Sequence, residues 1–277
     1  MKLNIKNQLK GRDLPMIMGI LNVTPDSFSD GGDFSDFQSA ARRADELVSE
    51  GADIIDIGAE STRPGAEPVS PELQIERFYE VIKAVKAKHK IWISIDTQSS
   101  EAASAAIEAG ADIINDISSG SDPQMFKFAA KKSVGIVLMH MLGTPQTMQK
   151  APEYKNVASD VMAYLQQKKK AAVQAGVLED NIILDPGIGF GKTLKHNLEL
   201  TGNLKIFTQL GSPVLYGASR KSFIGKITGR KEAKNREGGT IASTIYAMQQ
   251  GVSIIRVHRP RINLDAMRLY RSILTGA

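Results

Sequence analysis

Short apolar runs and helical patterns alternate eight times along the chain, and this alternation restricts its fold more than any other feature. We predict strands at 16–21, 53–57, 91–95, 112–114, 135–139, 182–184, 213–216 and 253–257. Each run is nearly all apolar, as expected for a strand that is covered on both faces. The clearest helical patterns lie at 37–50, 71–88, 101–109, 152–175, 237–250 and 263–274.

One short phrase recurs where helices end and strands begin. Residues 51–55 and 110–114 both read GADII, and residues 251–255 read GVSII. Such recurrence is typical of a repeated βα unit. Eight units without a change in composition predict an α/β protein, a (β/α)8 TIM barrel in a single domain that covers residues 1–277. A doubly wound open sheet is the alternative.

The composition excludes several classes of protein. The chain has no cysteine, which excludes disulfide bonds, thiolate catalysis and thiolate-bound zinc. Its formal charge of +5 suits a small anionic substrate, but no dense basic stripe indicates a nucleic-acid surface. No apolar run approaches the ~20 residues of a membrane span, and residues 1–6 lack the apolar segment of a signal peptide. We therefore expect a cytoplasmic protein that binds neither nucleic acid nor membrane.

Polar residues gather where the predicted strands end. In a (β/α)8 barrel, the carboxyl ends of the strands and the loops after them carry the active site. Any one such residue could be an ordinary helix cap, but eight strands that end in this way predict a shared site. These positions are Asn22, Asp56, Asp96, Asn115, His140, Asp185, the segment 219–222 and the segment 256–258.

The polar strand ends divide into two chemical groups. The middle strands end in short acceptor or mixed groups, namely Asp96, Asn115 and Asp185. These suit the N–H donors of a guanidine-like or aminopyrimidine ring. The last two strands are followed by cationic groups, namely Lys221, Arg256 and His258, at the usual phosphate position of this fold. We also expect a helix to begin after Arg220 and to offer backbone N–H groups to phosphate.

Three glycine-rich segments require separate interpretation. Residues 187–193 read GIGFGKT and look like a phosphate-binding P-loop, but the first glycine that this motif requires falls on Pro186. The loops at 23–34 and 59–69 are candidates for mobile lids over the barrel. A lid would be useful if the reaction makes a cation that water could trap.

A series of motifs, in order along nearly the whole chain, resembles the dihydropteroate synthase family. The two longest are MGILNVTPDSFSDGG at 18–32 and DIGAESTRPG at 56–65. Shorter motifs follow at 94–97, 114–117, 138–141, 185–191, 219–222 and 256–258. The family joins p-aminobenzoate to 6-hydroxymethyl-7,8-dihydropterin diphosphate and releases pyrophosphate. The resemblance therefore implies this reaction, with Mg²⁺ as cofactor, and a homodimer.

The resemblance also implies roles for residues by their positions. The pterin would contact Asp96, Asn115, Asp185, Lys221, Ile117 and Met139, with Asp56 lower in the pocket. The diphosphate would contact Thr62, Arg63, Arg256 and His258. The metal ion would be held by Asn22 and Asp30, and p-aminobenzoate would lie among Phe28, Pro64, Phe190 and Ser222. The catalytic residues would be Asp30, Arg63, Asp96, Asp185 and Lys221.

The implied reaction has a physical consequence for its mechanism. Departure of diphosphate leaves a positive charge that can spread into the electron-rich pterin, and an arylamine needs no strong base at neutral pH. We therefore predict an SN1-like substitution rather than covalent catalysis by Lys221. The alternatives are a methyltetrahydrofolate-type methyltransferase, a Schiff-base aldolase that uses Lys221, and a pterin-binding protein without catalysis.

Two positions depart from the family pattern. Ala59 stands where the family has a second glycine, and Arg259-Pro260 stands where the family usually has Asp after Arg-Val-His. The second departure removes a helix cap, adds charge near the phosphate end and presets the chain for the last helix.

Overall fold

The computed structural model describes residues 3–24, 32–61 and 65–276, with no side-chain detail at 32–36. Its strands are β1 (Met16–Asn22), β2 (Ile54–Gly58), β3 (Trp92–Asp96), β4 (Ile113–Asp116), β5 (Gly135–Met139), β6 (Ile182–Asp185), β7 (Leu215–Tyr216) and β8 (Ile254–Val257). Its helices are α1 (Ile5–Leu9), α2 (Gly32–Ser49), α3 (Pro71–Lys88), α4 (Ser100–Ala109), α5 (Met125–Lys132), α6 (Val157–Gln174), α7 (Leu194–Gly202), α8 (Leu204–Thr208), α9 (Ser222–Thr228), α10 (Glu237–Gln249) and α11 (Pro260–Thr275).

The eight strands are parallel and close on themselves. Their hydrogen-bonded order is β6-β5-β4-β3-β2-β1-β8-β7. The two ends of this series meet through one bridge between Leu184 and Val214, where Leu184 N donates to Pro213 O at 2.9 Å. The predicted (β/α)8 barrel is therefore confirmed, and the open doubly wound sheet is excluded. The seam between β6 and β7 is the most weakly bonded part of its wall.

The repeated GADII phrase forms the same joint in two places. Gly110 ends α4 with a φ of +119°, a conformation that favours glycine. Asp53, just before β2, accepts a hydrogen bond from Ile17 N of β1 at 2.9 Å. In the same way Asp112, just before β4, accepts one from Ile93 N of β3 at 2.8 Å. Each aspartate satisfies an amide at the start of the preceding strand and so helps to fix the register between units.

The amino end of the barrel is closed by α1. Asn4 caps this helix by accepting from Asn7 N at 2.8 Å. Ile5 is fully buried, and the side chains that pack with it inside the barrel are Met16, Met18, Ile54, Ile113, Val137, Ile183, Leu215 and Ile254. Its Cδ1 atom lies only 2.4 Å from where a Cβ at Gly135 would stand, so a larger residue at 135 would collide with it. This apolar plug leaves the carboxyl end as the open side of the barrel.

Several element boundaries differ from the sequence-based prediction. Helix α6 begins at Val157 rather than 152, because the Asn156 side chain caps it by accepting from Ser159 N at 2.9 Å. The short helices α1, α5 and α8 were not predicted, since each has too few residues to show a clear apolar period. Within the described residues, no helix has the length and apolar character required to cross a membrane.

We expect Ile5→Ala to destabilise the fold. Removing this fully buried side chain leaves a cavity beneath the barrel interior, which should lower the free energy of unfolding by about 2–5 kcal/mol. Urea unfolding measures the change, with Gln8→Ala on the exposed side of the same helix as the control. Equal stability of the two variants would show that α1 does not support the barrel.

Candidate active site

The carboxyl ends of the strands bring the predicted acceptor residues together at the open end of the barrel, here called the mouth. They are Asp56 in β2, Asp96 at the end of β3, Asn115 in β4 and Asp185 at the end of β6. All four side chains are buried. The register sets Asp96 beside Asn115 and beside Gly58 on its other side. Because glycine has no side chain, this flank of Asp96 stays open toward β1.

Arg256 on β8 connects the acceptor residues to one another. Its Nε donates to Asp56 Oδ2 at 2.6 Å, and its Nη2 donates to Asp96 Oδ2 at 3.0 Å. Asn115 Nδ2 donates to the same Asp56 oxygen at 3.1 Å. The other oxygen, Asp56 Oδ1, is buried and has no hydrogen-bond partner among the described residues. The cluster therefore retains an acceptor that a bound ligand could use.

Burial and the neighbouring charges shift the pKa values of this cluster. Burial raises the pKa of Asp96 to about 7, since Arg256 opposes this effect only in part and Asp56 adds to it. Burial alone would lower the pKa of Arg256, but the carboxylates of Asp56 and Asp96 outweigh it and raise that pKa. Near neutral pH, Asp96 can thus hold or release a proton while Arg256 stays charged.

The predicted separation into two chemical groups differs from this arrangement. The resemblance places Arg256 among the diphosphate contacts, but among the described residues its ion pairs are with the carboxylates of Asp56 and Asp96, which belong to the pterin group. Its guanidinium compensates the charge of buried acids, which would otherwise be costly to place inside the barrel. The two groups form one network across the mouth rather than two separate regions.

Lys221 lies across the seam between β6 and β7. Its Nζ donates to Ile188 O and lies 4.6 Å from the centre of the Phe190 ring. Burial lowers the pKa of Lys221 to about 8, and Asp185 opposes that shift. Burial raises the pKa of Asp185 in turn, and Lys221 opposes it. Each charge thus offsets part of the cost of burying the other, on the two sides of the weakest part of the wall.

The turn before Lys221 is held in an unusual conformation. Arg220 has a φ of +61°, which is rare for a residue other than glycine. Its N donates to Thr240 Oγ1 at 3.1 Å, and its O accepts from Arg236 Nη1 at 2.7 Å. As predicted, a helix begins directly after this turn, with the exposed Ser222 as its first residue. The surrounding bonds keep the strained backbone in place and aim Lys221 inward.

His258 follows β8 and is held by its neighbours. Its Nδ1 lies 3.0 Å from Ser219 Oγ, and its carbonyl accepts from Arg43 Nη2 at 2.8 Å. Arg259-Pro260, which departs from the family pattern, acts as predicted. Pro260 is at the start of α11, and the N-cap residue Arg259 makes no side-chain cap bond. The backbone of His258 is thus fixed by Arg43 rather than by a capping carboxylate.

Apolar residues of the predicted site lie beside the acceptors. Ile117, just after β4, and Met139, at the end of β5, are both buried. The turn that follows β4 is tied to β5, because Ser119 Oγ donates to Met139 O at 2.8 Å. The two side chains are positioned by one local structure, as expected for a flat apolar wall of a pocket.

The predicted metal ligand Asn22 ends β1 at the mouth. Gly58 on β2 has no Cβ, and two oxygens lie near the position that such an atom would take. Asn22 Oδ1 is 3.5 Å from this position and Asp96 Oδ2 is 3.9 Å from it. Two oxygens therefore flank a space that any side chain at 58 would fill. In the described ranges no three His, Asp or Glu residues form a metal-binding group. A cation here would need further oxygens from a ligand or water.

Five predicted site residues lie outside the residues that the structure describes. They are Phe28, Asp30, Thr62, Arg63 and Pro64. Gly65, which follows Pro64 in the loop at 59–69, is described, and its N donates to Pro145 O at 3.2 Å. This part of the loop therefore reaches the segment that follows β5.

The sequence analysis missed one buried lysine behind the loop that follows β6. Lys192 is 3% exposed and donates to the carbonyl of Phe190 and to His140. The sequence does contain a signal for this lysine. Lys192 lies in the P-loop-like segment at 187–193, directly after three alternating glycines. The P-loop pattern relates this lysine to phosphate alone and gives no sign of its bonds to Phe190 and His140.

The chain is similar to a set of known proteins with one activity. It matches the family of pterin binding enzymes over residues 18–258. It is 46% identical over 260 residues to the dihydropteroate synthase of Streptococcus pyogenes, covering 93% of this chain and 95% of the other. The structure of Xanthomonas albilineans dihydropteroate synthase with 4-aminobenzoic acid has a TM-score of 0.90 at 40% identity, covering 95% and 94% of the two chains. The same enzyme in complex with 7,8-dihydropteroate has a TM-score of 0.86 at 37% identity, covering 95% of each chain.

We expect Asp96→Asn to change how stability depends on pH. The ordinary pKa of this carboxyl is 3.8 and the folded value is about 7, so between these values the folded chain holds a proton that the unfolded chain releases. The stability of the unsubstituted protein should therefore fall as pH rises through this window, and Asp96→Asn should remove that loss.

Urea unfolding from pH 4 to pH 8 measures this effect. The difference in unfolding free energy between the two proteins should shift in favour of Asp96→Asn by on the order of a few kcal/mol as pH rises. A difference that stays constant across the window would contradict a raised pKa at Asp96.

Proposed function

The chain belongs to the dihydropteroate synthase family of pterin binding enzymes, and we propose that it joins p-aminobenzoate to 6-hydroxymethyl-7,8-dihydropterin diphosphate, with release of pyrophosphate. The observation that carries this proposal is the buried cluster of Asp56, Asp96, Asn115 and Arg256 at the mouth of the barrel. It combines free acceptor capacity with a fixed positive charge. Such a site suits a nitrogen-rich ring that bears an anionic group.

The acceptor cluster supports recognition of the pterin edge. The aminopyrimidine part of a pterin carries adjacent N–H groups, which need acceptors that are already held in place. Asp96, Asn115 and Asp185 supply them from three different strands, and Asp56 Oδ1 has no partner among the described residues. The buried Ile117 and Met139 would pack on the flat ring. Burial strengthens each of these polar contacts by excluding water.

The reaction proposed for this site is a substitution at the methylene carbon of the pterin. The carbon–oxygen bond breaks and its electron pair leaves with pyrophosphate, so positive charge spreads into the pterin ring. Nearby carboxylates favour that charge. The arylamine nitrogen then donates its electron pair to the methylene carbon and loses one proton to solvent or to pyrophosphate. Arg63, Thr62, Arg256 and His258 would contact the leaving diphosphate.

Lys221 fits this mechanism as a cation rather than as a nucleophile. Its pKa of about 8 leaves the amine mostly protonated near neutral pH, and its Nζ already donates to Ile188 O. The proposed reaction occurs at a methylene carbon that loses pyrophosphate and needs no Schiff base with a carbonyl. Lys221 would therefore bind the pterin as a cation, and its positive charge balances part of the negative charge of Asp185.

Mg²⁺ is the cofactor that we propose. The open space at Gly58, flanked by oxygens of Asn22 and Asp96, is consistent with a small cation. Mg²⁺ commonly uses one or two protein oxygens together with substrate phosphates and water, which suits a site without a complete protein cage. Asn22 and Asp30 would hold the ion, and it would offset negative charge on the departing diphosphate.

The second substrate and the assembly are proposed from the same resemblance. p-Aminobenzoate would lie among Phe28, Pro64, Phe190 and Ser222, close to the start of α9. We also propose a cytoplasmic homodimer. Helix α11 supports it, because Leu269, Ile273 and Leu274 on this helix are 65%, 69% and 65% exposed. A second copy of the chain would cover this apolar surface.

The test of this function is the release of pyrophosphate from the pterin diphosphate. We expect release to require both p-aminobenzoate and Mg²⁺, and to stop when the metal ion is removed with a chelator. A pterin-binding protein without catalysis would bind the pterin diphosphate but release nothing. Release that does not depend on the amine would contradict the proposed synthase.

Two site variants should lose this activity. We expect Arg63→Ala and Asp96→Ala each to lower pyrophosphate release by on the order of 100-fold or more, because each removes a group that would contact substrate. Asp112→Asn is the matched control, since that aspartate lies at the amino end of a strand and pairs with Lys86. Near-normal kinetics for both site variants would refute the residue assignment.

A further inference from the structure

Four consecutive backbone carbonyls after β6 accept hydrogen bonds from side chains, three of them from distant segments and one from the residue that directly follows the loop. We call this segment, residues 187–191, the carbonyl loop. Its acceptors and donors are Ile188 O with Lys221 Nζ, Gly189 O with Gln149 Nε2 at 2.9 Å, Phe190 O with Lys192 Nζ at 2.9 Å, and Gly191 O with Tyr154 OH at 2.7 Å. The loop owes its position to side chains, because its backbone lacks the regular bonds of a helix or strand.

Lys192 is the central and most buried of these donors. Its Nζ donates to Phe190 O at 2.9 Å and to His140 O at 3.2 Å, and it lies 3.0 Å from His140 Nδ1. The amine is thus held on three sides by hydrogen-bond partners. They connect the carbonyl loop to the end of β5. A methyl group at Gly187 would lie 1.9 Å from the same His140 carbonyl, which shows how closely the two segments approach.

His140 is arranged to accept rather than to carry charge. Burial, reinforced by Lys192, lowers its pKa to about 3, so the ring is neutral and can accept at Nδ1 when Nε2 holds the proton. The ring lies edge-on to Tyr164 at 4.8 Å between centres and tilted toward Tyr154 at 5.9 Å. These contacts fix the ring plane and with it the direction of the bond to Lys192.

The carbonyl loop presents its other side to the active site. The Phe190 ring faces Lys221, and Gly187 N donates to Asp185 Oδ1 at 2.7 Å. A displacement of the loop would therefore move Phe190 while Asp185 stays anchored by β6. Burial lowers the pKa of Lys192 well below its ordinary value, and Asp185 opposes that shift only in part. The charge of Asp185 thus acts on this lysine although it lies behind the loop.

We propose that Lys192 is a positioning residue for the arylamine substrate: by holding Phe190 O and His140 together, it fixes the Phe190 ring against Lys221 at the wall where p-aminobenzoate would bind. This inference rests on the proposed function, in which Phe190 belongs to the p-aminobenzoate site. Lys192 itself touches no substrate in this arrangement. The pterin acceptors on β2, β3 and β4 make no described bond to the carbonyl loop, whereas Asp185 and Lys221 bond to it at Gly187 and Ile188, not at the Phe190 carbonyl that Lys192 holds.

The variant that tests this role is Lys192→Met, which keeps the length of the side chain but removes the amine and its bonds to Phe190 and His140. We expect the KM for p-aminobenzoate to rise by on the order of tenfold, as for the loss of a buried hydrogen bond. The KM for the pterin diphosphate should change much less. His140→Leu should raise the KM for p-aminobenzoate in the same way. His140→Asn keeps an acceptor and should therefore raise it less than His140→Leu does. In the double variant Lys192→Met/His140→Leu, the rise in KM should be smaller than the two single effects combined.

Lys169→Met is the matched control for a purely structural lysine. Lys169 is also mostly buried and donates to a backbone carbonyl, Leu210 O at 3.0 Å, but it lies on α6 away from the mouth. We expect this variant to lose stability without a change in either KM. An unchanged p-aminobenzoate KM in Lys192→Met, or an equal rise of both KM values, would overturn the proposal.

A second measurement requires no turnover. Amide hydrogen exchange of residues 187–191 should be faster in Lys192→Met than in the unsubstituted protein, while exchange in β2 and β3 stays the same. Equal protection of the carbonyl loop in the two proteins would overturn the positioning role. If the unsubstituted protein released no pyrophosphate, the proposed synthase activity would be refuted. The exchange measurement would still test whether Lys192 holds the carbonyl loop in place. If Lys192→Met did not fold, His140→Leu would carry both measurements.

Discussion

The ion pairs of Arg256 with Asp56 and Asp96 are the interaction on which the mouth of the barrel depends. They join β8 to β2 and β3 through buried charges, at 2.6 Å and 3.0 Å. Two carboxylates in the apolar interior would be very costly without this cation, and one charge without its partners would be equally unstable. The site therefore exists only when the barrel closes. Closure brings the first strands beside the last one and so completes the pairing.

The position of the seam has a related consequence. Strands β6 and β7 meet through a single bridge, yet Asp185 ends one and Lys221 follows the other. Their charges attract across a gap that few backbone bonds hold. The same gap lets Lys221 reach the carbonyl loop, which a regular strand pair would obstruct. Weak strand pairing at this point thus makes room for a cation and a loop, and their electrostatic contacts replace part of the missing sheet.

Much of this arrangement could be predicted from the sequence, for identifiable reasons. Apolar runs of strand length and GADII joints indicated the barrel, and strand ends such as Asp96 and Asp185 indicated the site, because parallel strands place their carboxyl ends together. The pairing of Arg256 with Asp56 could not be predicted, since 200 positions separate them in the chain. Helix α1 was missed because five residues show no period.

The segment at 187–193 shows why a motif has to be judged by polarity as well as by spacing. A P-loop turns backbone N–H groups toward an anion. In the carbonyl loop, Gly187, Gly189 and Gly191 have φ of +68°, +87° and +64°, and the carbonyls of residues 188–191 meet side-chain donors, two of them lysines. Here the N–H groups of Gly187 and Gly189 donate to Asp185 and Asn197 inside the protein, so the loop is held from both sides by its own chain rather than by a phosphate. Its lysine donates to the loop itself, at the carbonyl of Phe190, and through that bond it acts on the position of the Phe190 ring.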